Sequence, residues 1–139
     1  MWDMLGDVLL ARAAPRIPVE VLCTELDGDR PRHALVVDLS PTGVRLRRPV
    51  GGRTPRTLAL EFEVPGVDEI VWARGRVAFD RLGRLPRRPD GRLGDVIRTT
   101  GVELIALAER HRRLLRDVVM DAHALASDWT ARAACYLRG

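Results

Sequence analysis

Apolar and polar positions alternate with a period of two in six separate stretches of this chain, and a helical period follows them. The first stretch, Ile17-Pro18-Val19-Glu20-Val21-Leu22-Cys23, reads as a strand, with Pro18 restricting its start to an edge or opening position. Asp27-Gly28-Asp29 is a hairpin turn signal, and a second strand is predicted over 32–39. A third runs over 44–47, where Val44 and Leu46 should face a core and Arg45 and Arg47 solvent. Pro49 to Pro55, with Gly51-Gly52, separates it from a fourth strand over 58–64. Pro65-Gly66-Val67-Asp68 then turns the chain into a long fifth strand over 70–80. Residues 83–95 are rich in Gly, Pro and Arg, which predicts a mobile basic loop before a sixth strand over 96–104.

From Leu107 to Ala126 the period changes. Leu107, Leu114, Leu115, Val118, Val119, Ala122 and Leu125 form one apolar stripe, with Arg110, Arg112, Arg113 and Arg116 crowding the other side. The stripe is expected to pack on the strands, the alternative being that the stripe or the basic face docks a partner. Residues 1–11 space Trp2, Leu5, Val8 and Leu9 for a short amphipathic helix, and Asp3 and Asp7 in it give anionic lipids no attraction. The division expected is a lead segment at 1–11, a domain at 12–126 and a tail at 127–139 holding Trp129 and Tyr136.

Composition narrows the function classes. All 23 basic residues are arginines, and a net charge of +4 with pI near 10.3 favours an anionic partner without saying which. Aromatic residues make up only 4%, too few platforms for a single-strand nucleic-acid binder. No apolar run is long enough to span a bilayer, and the first residues lack the basic start and cleavage site of a secretory signal, so a cytoplasmic location is expected. Cys23 and Cys135 make neither a disulfide framework nor a zinc site. His33, His111 and His123 lie in no metal-ligand spacing, and there is no P-loop, dinucleotide turn or nucleophile motif. These absences predict a binding protein with no catalytic residue, no metal and no cofactor, and not an enzyme.

Two short motifs carry the candidate chemistry. Arg12-Ala13-Ala14-Pro15-Arg16 spaces two arginines by four, and Pro15 keeps Ala14 out of the α region, so the segment is extended or kinked. Asp38-Leu39-Ser40-Pro41-Thr42-Gly43 has the residues of a tight turn: side-chain acceptors, a proline, and a glycine that permits positive φ. Turn chemistry alone accounts for the second motif but not for the upstream arginines. In this order and spacing, and with strands around it, the pair resembles the Arg-x-x-x-Arg and Asp-x-Ser-x-x-Gly signature of the PilZ domain family, over roughly residues 12–121. Gly101-Val102-Glu103-Leu104 is similar to a Gly-Val/Ile-x-Phe segment of that family, with Leu for the usual Phe.

The resemblance implies a mainly-β fold, a six-stranded antiparallel barrel with the C-terminal helix across one opening. It also implies a ligand, the bacterial second messenger cyclic di-GMP, with Arg12, Arg16, Asp38, Ser40 and Gly43 as binding residues. Arginine forks suit phosphates and the O6 and N7 edge of guanine, and Asp38 would accept from guanine N–H groups. Ser40 would bond base or backbone, and Gly43 would let the ligand approach closely. Phe79 stands where the family often places an aromatic, with Arg81 two residues on; either could contact a base, but Phe79 is expected in the core. Many members carry a further basic residue where this chain has Ala11, Ala13 or Ala14, which leaves open one ligand or an intercalated pair. The function implied is a receptor that passes ligand occupancy to a partner protein by ordering its arginine segment. A nucleotide-free adaptor and a small nucleic-acid-binding barrel remain the alternatives.

Overall fold

The computed structural model describes residues 15–26 and 30–138, with side chains of the last helix described through Ala126. The expected lead helix over 1–11, Arg12 and the Asp27-Gly28-Asp29 turn lie outside the described residues. Six strands form in chain order: β1 (Ile17–Glu25), β2 (Arg32–Leu39), β3 (Gly43–Arg48), β4 (Thr57–Glu63), β5 (Ile70–Arg84) and β6 (Val96–Leu107). One helix follows, α1 (Glu109–Arg138). All neighbouring pairs are antiparallel, and the order β1-β2-β3-β6-β5-β4 closes on itself as a barrel. The six-stranded barrel with a C-terminal helix is the expected architecture.

The alternation explains which side chains fill the barrel. Val44 and Leu46 of β3, Leu58, Leu60 and Phe62 of β4, and Val71 of β5 are buried on its inner face, while Arg47 and Trp72 point out. Antiparallel pairing all the way round puts the starts of β1, β3 and β5 and the ends of β2, β4 and β6 at one opening. The helix begins there: Arg110 and His111 both reach Glu69 in the β4–β5 turn. Leu115 and Val119, one turn apart, are both fully buried against the barrel core. Leu114, Val118 and Ala122 of the stripe pack partly against the same core, whereas Leu125, expected with them, is 62% exposed.

Three boundaries differ from expectation. The fifth strand runs on to Arg84, paired with Val96, instead of ending at Asp80, so the loop occupies 85–95. Its tip is held by Leu85 N–H to Asp95 O at 2.9 Å and Arg88 N–H to Arg92 O at 2.9 Å, and a Cβ on Gly94 would overlap the Leu85 carbonyl. Composition started the loop two residues early because it cannot register ladder pairing with a distant strand. Leu107 belongs to β6, paired with Ala73, and not to the helix. The helix, for its part, continues through residues 127–138, since no Gly or Pro stands between Glu109 and Arg138 to stop it.

Candidate functional site

Two bulges build the site. In β2 the register shifts between Val36 and Asp38, so the inward parity of Ala34 and Val36 passes to Leu39 and Asp38 turns outward. In β5 a shift between Val77 and Phe79 does the same: Asp80 turns toward buried Thr100, and Phe79 is turned out of the barrel. Simple alternation would have put Phe79 in the core. It lies outside the core cluster and is half-buried.

Strand register then aligns one row across the outer face. Pro18 on β1 stands opposite Asp38 on β2, Asp38 opposite Arg45 on β3, Arg45 opposite Gly101 on β6, and Gly101 opposite Phe79 on β5. Gly101 has no side chain because none fits: a Cβ there would overlap the Phe79 ring, which lies over the strand. The Arg81 guanidinium stacks 4.3 Å from the centre of that ring, and Arg45 approaches it at 5.8 Å. Arg45 also extends toward Asp38, Nη1 to Oδ2 at 3.8 Å, while its Nε is buried with no hydrogen-bond partner among the described residues. A pair of cations flanking an aromatic face, beside a carboxylate, offers stacking, forked donors and a hydrogen-bond acceptor within one row.

Arg16 joins the carboxylate end. Ile17 pairs with Leu39, which holds Arg16 just beyond the end of β1, beside the β2–β3 turn. Partial burial raises the Asp38 carboxyl above its ordinary range, opposed by the charges of Arg45 and then Arg16 and by the Leu39 N–H. The turn itself is closed by Ser40. Its Oγ accepts from Gly43 N–H at 2.9 Å and Thr42 N–H at 3.3 Å, and donates to Gly43 O at 3.2 Å. Ser40 is only 7% exposed, so its hydroxyl shapes the turn and has no free lone pair for another donor. Gly43 is needed for closeness instead of for positive φ, which it does not adopt: a Cβ would come within 2.8 Å of Val102 O.

Of the sequence candidates, Arg16, Asp38, Ser40 and Gly43 gather at one barrel end, and Phe79 and Arg81 lie two strands farther along the row. Arg12 lies outside the described residues. Arg45 was missed, because an outward arginine at alternating spacing looks like any solvated one. Gly101 inside a strand was the available signal, since an interior glycine marks a close approach. Among the described residues no group of three metal-ligating side chains comes together, and no helix is long and apolar enough to cross a membrane.

Comparison with known proteins agrees with the fold. No curated protein is similar to the chain. Among solved structures, the PilZ domain of YcgR from Escherichia coli with c-di-GMP is similar at a TM-score of 0.66 and 12% identity, over 87% of this chain and 98% of that one. YcgR of Escherichia coli in complex with c-di-GMP aligns at 0.61 and 13%, over 88% of this chain and 50% of that one. The inhibitor of motility MotI of Bacillus subtilis aligns at 0.61 and 13%, over 78% of this chain and 49% of MotI, so the chain spans about half of that protein. The PilZ domain family model matches residues 11–121. A closed six-stranded barrel with its two signature motifs inside that match places this chain in the PilZ domain family.

Proposed function

We propose that this protein is a receptor for cyclic di-GMP that passes ligand occupancy to a partner protein, and not an enzyme. The observation that carries the reading is the convergence of Arg16, Asp38 and Arg45 at the mouth of a row ending in the Phe79–Arg81 stack. A bis-phosphate with two guanines needs cations, an acceptor for guanine N–H groups and a flat surface, and the row supplies each. Arg12 and Arg16 take the phosphates or the O6 and N7 edge of guanine. Asp38 accepts from the guanine N1 and N2 donors. Ser40 and Gly43 contribute by holding the turn and leaving its face open, and Phe79 with Arg81 offers a stacking surface. Support also comes from the c-di-GMP complex of the similar YcgR domain.

Occupancy is read out through the N-terminal arginines. Ligand phosphates add counter-charge beyond that of Asp38 and draw the segment ahead of Arg16 toward the turn at Asp38 to Gly43, so binding re-aims the Trp2–Leu9 stripe toward or away from the partner. Calorimetric titration with cyclic di-GMP tests the binding itself, with saturable heat expected for the wild type and a large loss in an Arg12→Ala/Arg16→Ala double variant. Equal binding by that variant overturns the site. Hydrogen exchange tests the readout: ligand should protect residues 5–18 and 38–43 while α1 changes little. Unchanged exchange in 5–18 with intact binding would remove the switch and keep the receptor.

A further inference from the structure

The barrel is joined least where its first and fourth strands meet. Among the described residues β1 pairs with β4 only at Cys23, Thr24 and Glu25, opposite Phe62, Glu61 and Leu60. Upstream, among the described residues, Ile17, Pro18, Val21 and Leu22 pair with β2 and none of 17–22 pairs with β4. The two strands diverge there around a cleft of about 810 Å3, walled by Glu20 to Thr24 on one side and by Glu61 to Ile70 on the other. In the order of the barrel this junction is the one farthest from β3 and β6, so the cleft is separate from the row of Asp38 and Phe79.

Its chemistry is opposite to that of the rest of the molecule. The chain carries a net charge of +4, yet the charged residues lining the cleft are Glu20, Glu61, Glu63 and Asp68, with no arginine or histidine among them. Between these acids stand apolar groups open to solvent, Leu22 at 75% exposure and Ile70 at 44%, with half-buried Val67 beneath. An exposed strand edge beside alternating carboxylate and apolar positions suits one kind of occupant.

We propose that the β1–β4 cleft docks an extended cationic segment of a partner protein, which adds as a strand along β1. Backbone groups of Val19 to Leu22 provide the ladder, the carboxylates pair with Lys or Arg on the outward face of the segment, beside Leu22 and Ile70, and its apolar alternates turn inward onto Val21 and Val67. A second copy of this chain fits poorly, because an isologous contact sets each cleft's carboxylates against the same carboxylates. Nucleic acid and anionic lipid are repelled by the same charges. The inference stands independently of nucleotide binding.

The test is a titration of the full chain, followed by amide NMR, with a synthetic peptide of about nine residues alternating Arg or Lys with Val. Shifts confined to 18–24 and 61–70 are expected; shifts elsewhere or none overturn the proposal. A Glu61→Lys/Glu63→Lys variant should lose at least about tenfold in affinity and regain it for a peptide with Glu in place of the cations. Because those side chains lie on the barrel exterior, its melting temperature and circular dichroism serve as folding controls. Leu22→Arg, which sets a cation on the face of the carboxylates, gives a second route with the same loss expected should that variant misfold. Equal binding of the cationic peptide by the reversed variant overturns the charge argument, and equal binding of a peptide N-methylated at alternate amides overturns strand addition. A dimer in sedimentation that dissociates on the charge reversal would assign the cleft to a second copy and overturn the proposed occupant.

Discussion

Replacing Arg98 by alanine should unfasten the barrel end opposite the helix. Arg98, 9% exposed on β6, holds Asp80 through Nε at 3.0 and 3.2 Å and through Nη2 at 2.8 Å. Its remaining donors reach Gly51 O at 2.6 Å, Gly52 O at 3.1 Å and Thr54 Oγ1 at 2.6 Å, which pins the β3–β4 loop to the barrel. Thr54 in turn joins Arg48, whose guanidinium is buried against Glu25 at 2.9 Å. The substitution leaves Asp80 with only the hydroxyls of Thr54 and Thr100 and strands two carbonyls. Breaking a buried pair costs about 3–5 kcal/mol, and the one-quarter exposure of the Asp80 side chain puts this case at the low end, about 3 kcal/mol. Urea unfolding should therefore show a lower midpoint at an unchanged slope. Acid titration supplies a second signature. Hydrogen bonds from Arg98 hold the Asp80 carboxyl far below its ordinary range. A depressed carboxyl stabilises the fold above its unfolded pKa, about 3.9, and loses that contribution as pH falls below it, so wild-type stability should drop from about pH 5 downward. In Arg98→Ala that slope should flatten. A variant within about 1 kcal/mol of wild type and with the same acid profile would refute the reasoning.

Other outcomes follow from the site and the core. Arg16→Ala should weaken cyclic di-GMP binding by about 1.5–3 kcal/mol by calorimetry, and Arg16→Lys should not restore it because lysine lacks the fork. Gly101→Ala should push the Phe79 ring off its seat, costing about 1–3 kcal/mol in unfolding and weakening nucleotide binding; unchanged melting would contradict the overlap. Asp38 must be charged to accept from guanine, so affinity should fall as pH drops through its raised pKa. Arg45→Ala removes the leading opposing charge and should move that fall to higher pH, read from titrations at several pH values. Leu115→Ala, at a fully buried seat of the helix on the barrel, should cost about 2–5 kcal/mol in urea unfolding.

Six strands and a helix were legible because burial imposes a period on each. Leu58, Leu60 and Phe62 had to share a face, and any strand carrying them shows it in one dimension. The two motifs were legible for a related reason: Ser40 and Gly43 interact within their own turn, so their chemistry is written in adjacent positions. What the residues alone determined, then, was local: where elements form, where turns close, which charges are in excess, and a resemblance resting on two short motifs.

The arrangement across strands was decided elsewhere. Arg45 became part of the site because β3 lies between β2 and β6, bringing it opposite Asp38 on one side and Gly101 on the other. Phe79 left the core because one bulged residue in β5 exchanged the two faces of that strand, a change set by pairing with β6 that alternation along β5 does not contain. The fifth strand outran its expected end at Asp80 for the same reason, since Gly83 and Arg84 pair with Ile97 and Val96 on another strand. The acidic cleft, too, exists only where β1 and β4 separate, gathering Glu20 from one strand with Glu61 and Glu63 from another. Period and turn chemistry act between near neighbours in the chain, while register and bulges act between strands that meet only when the barrel closes.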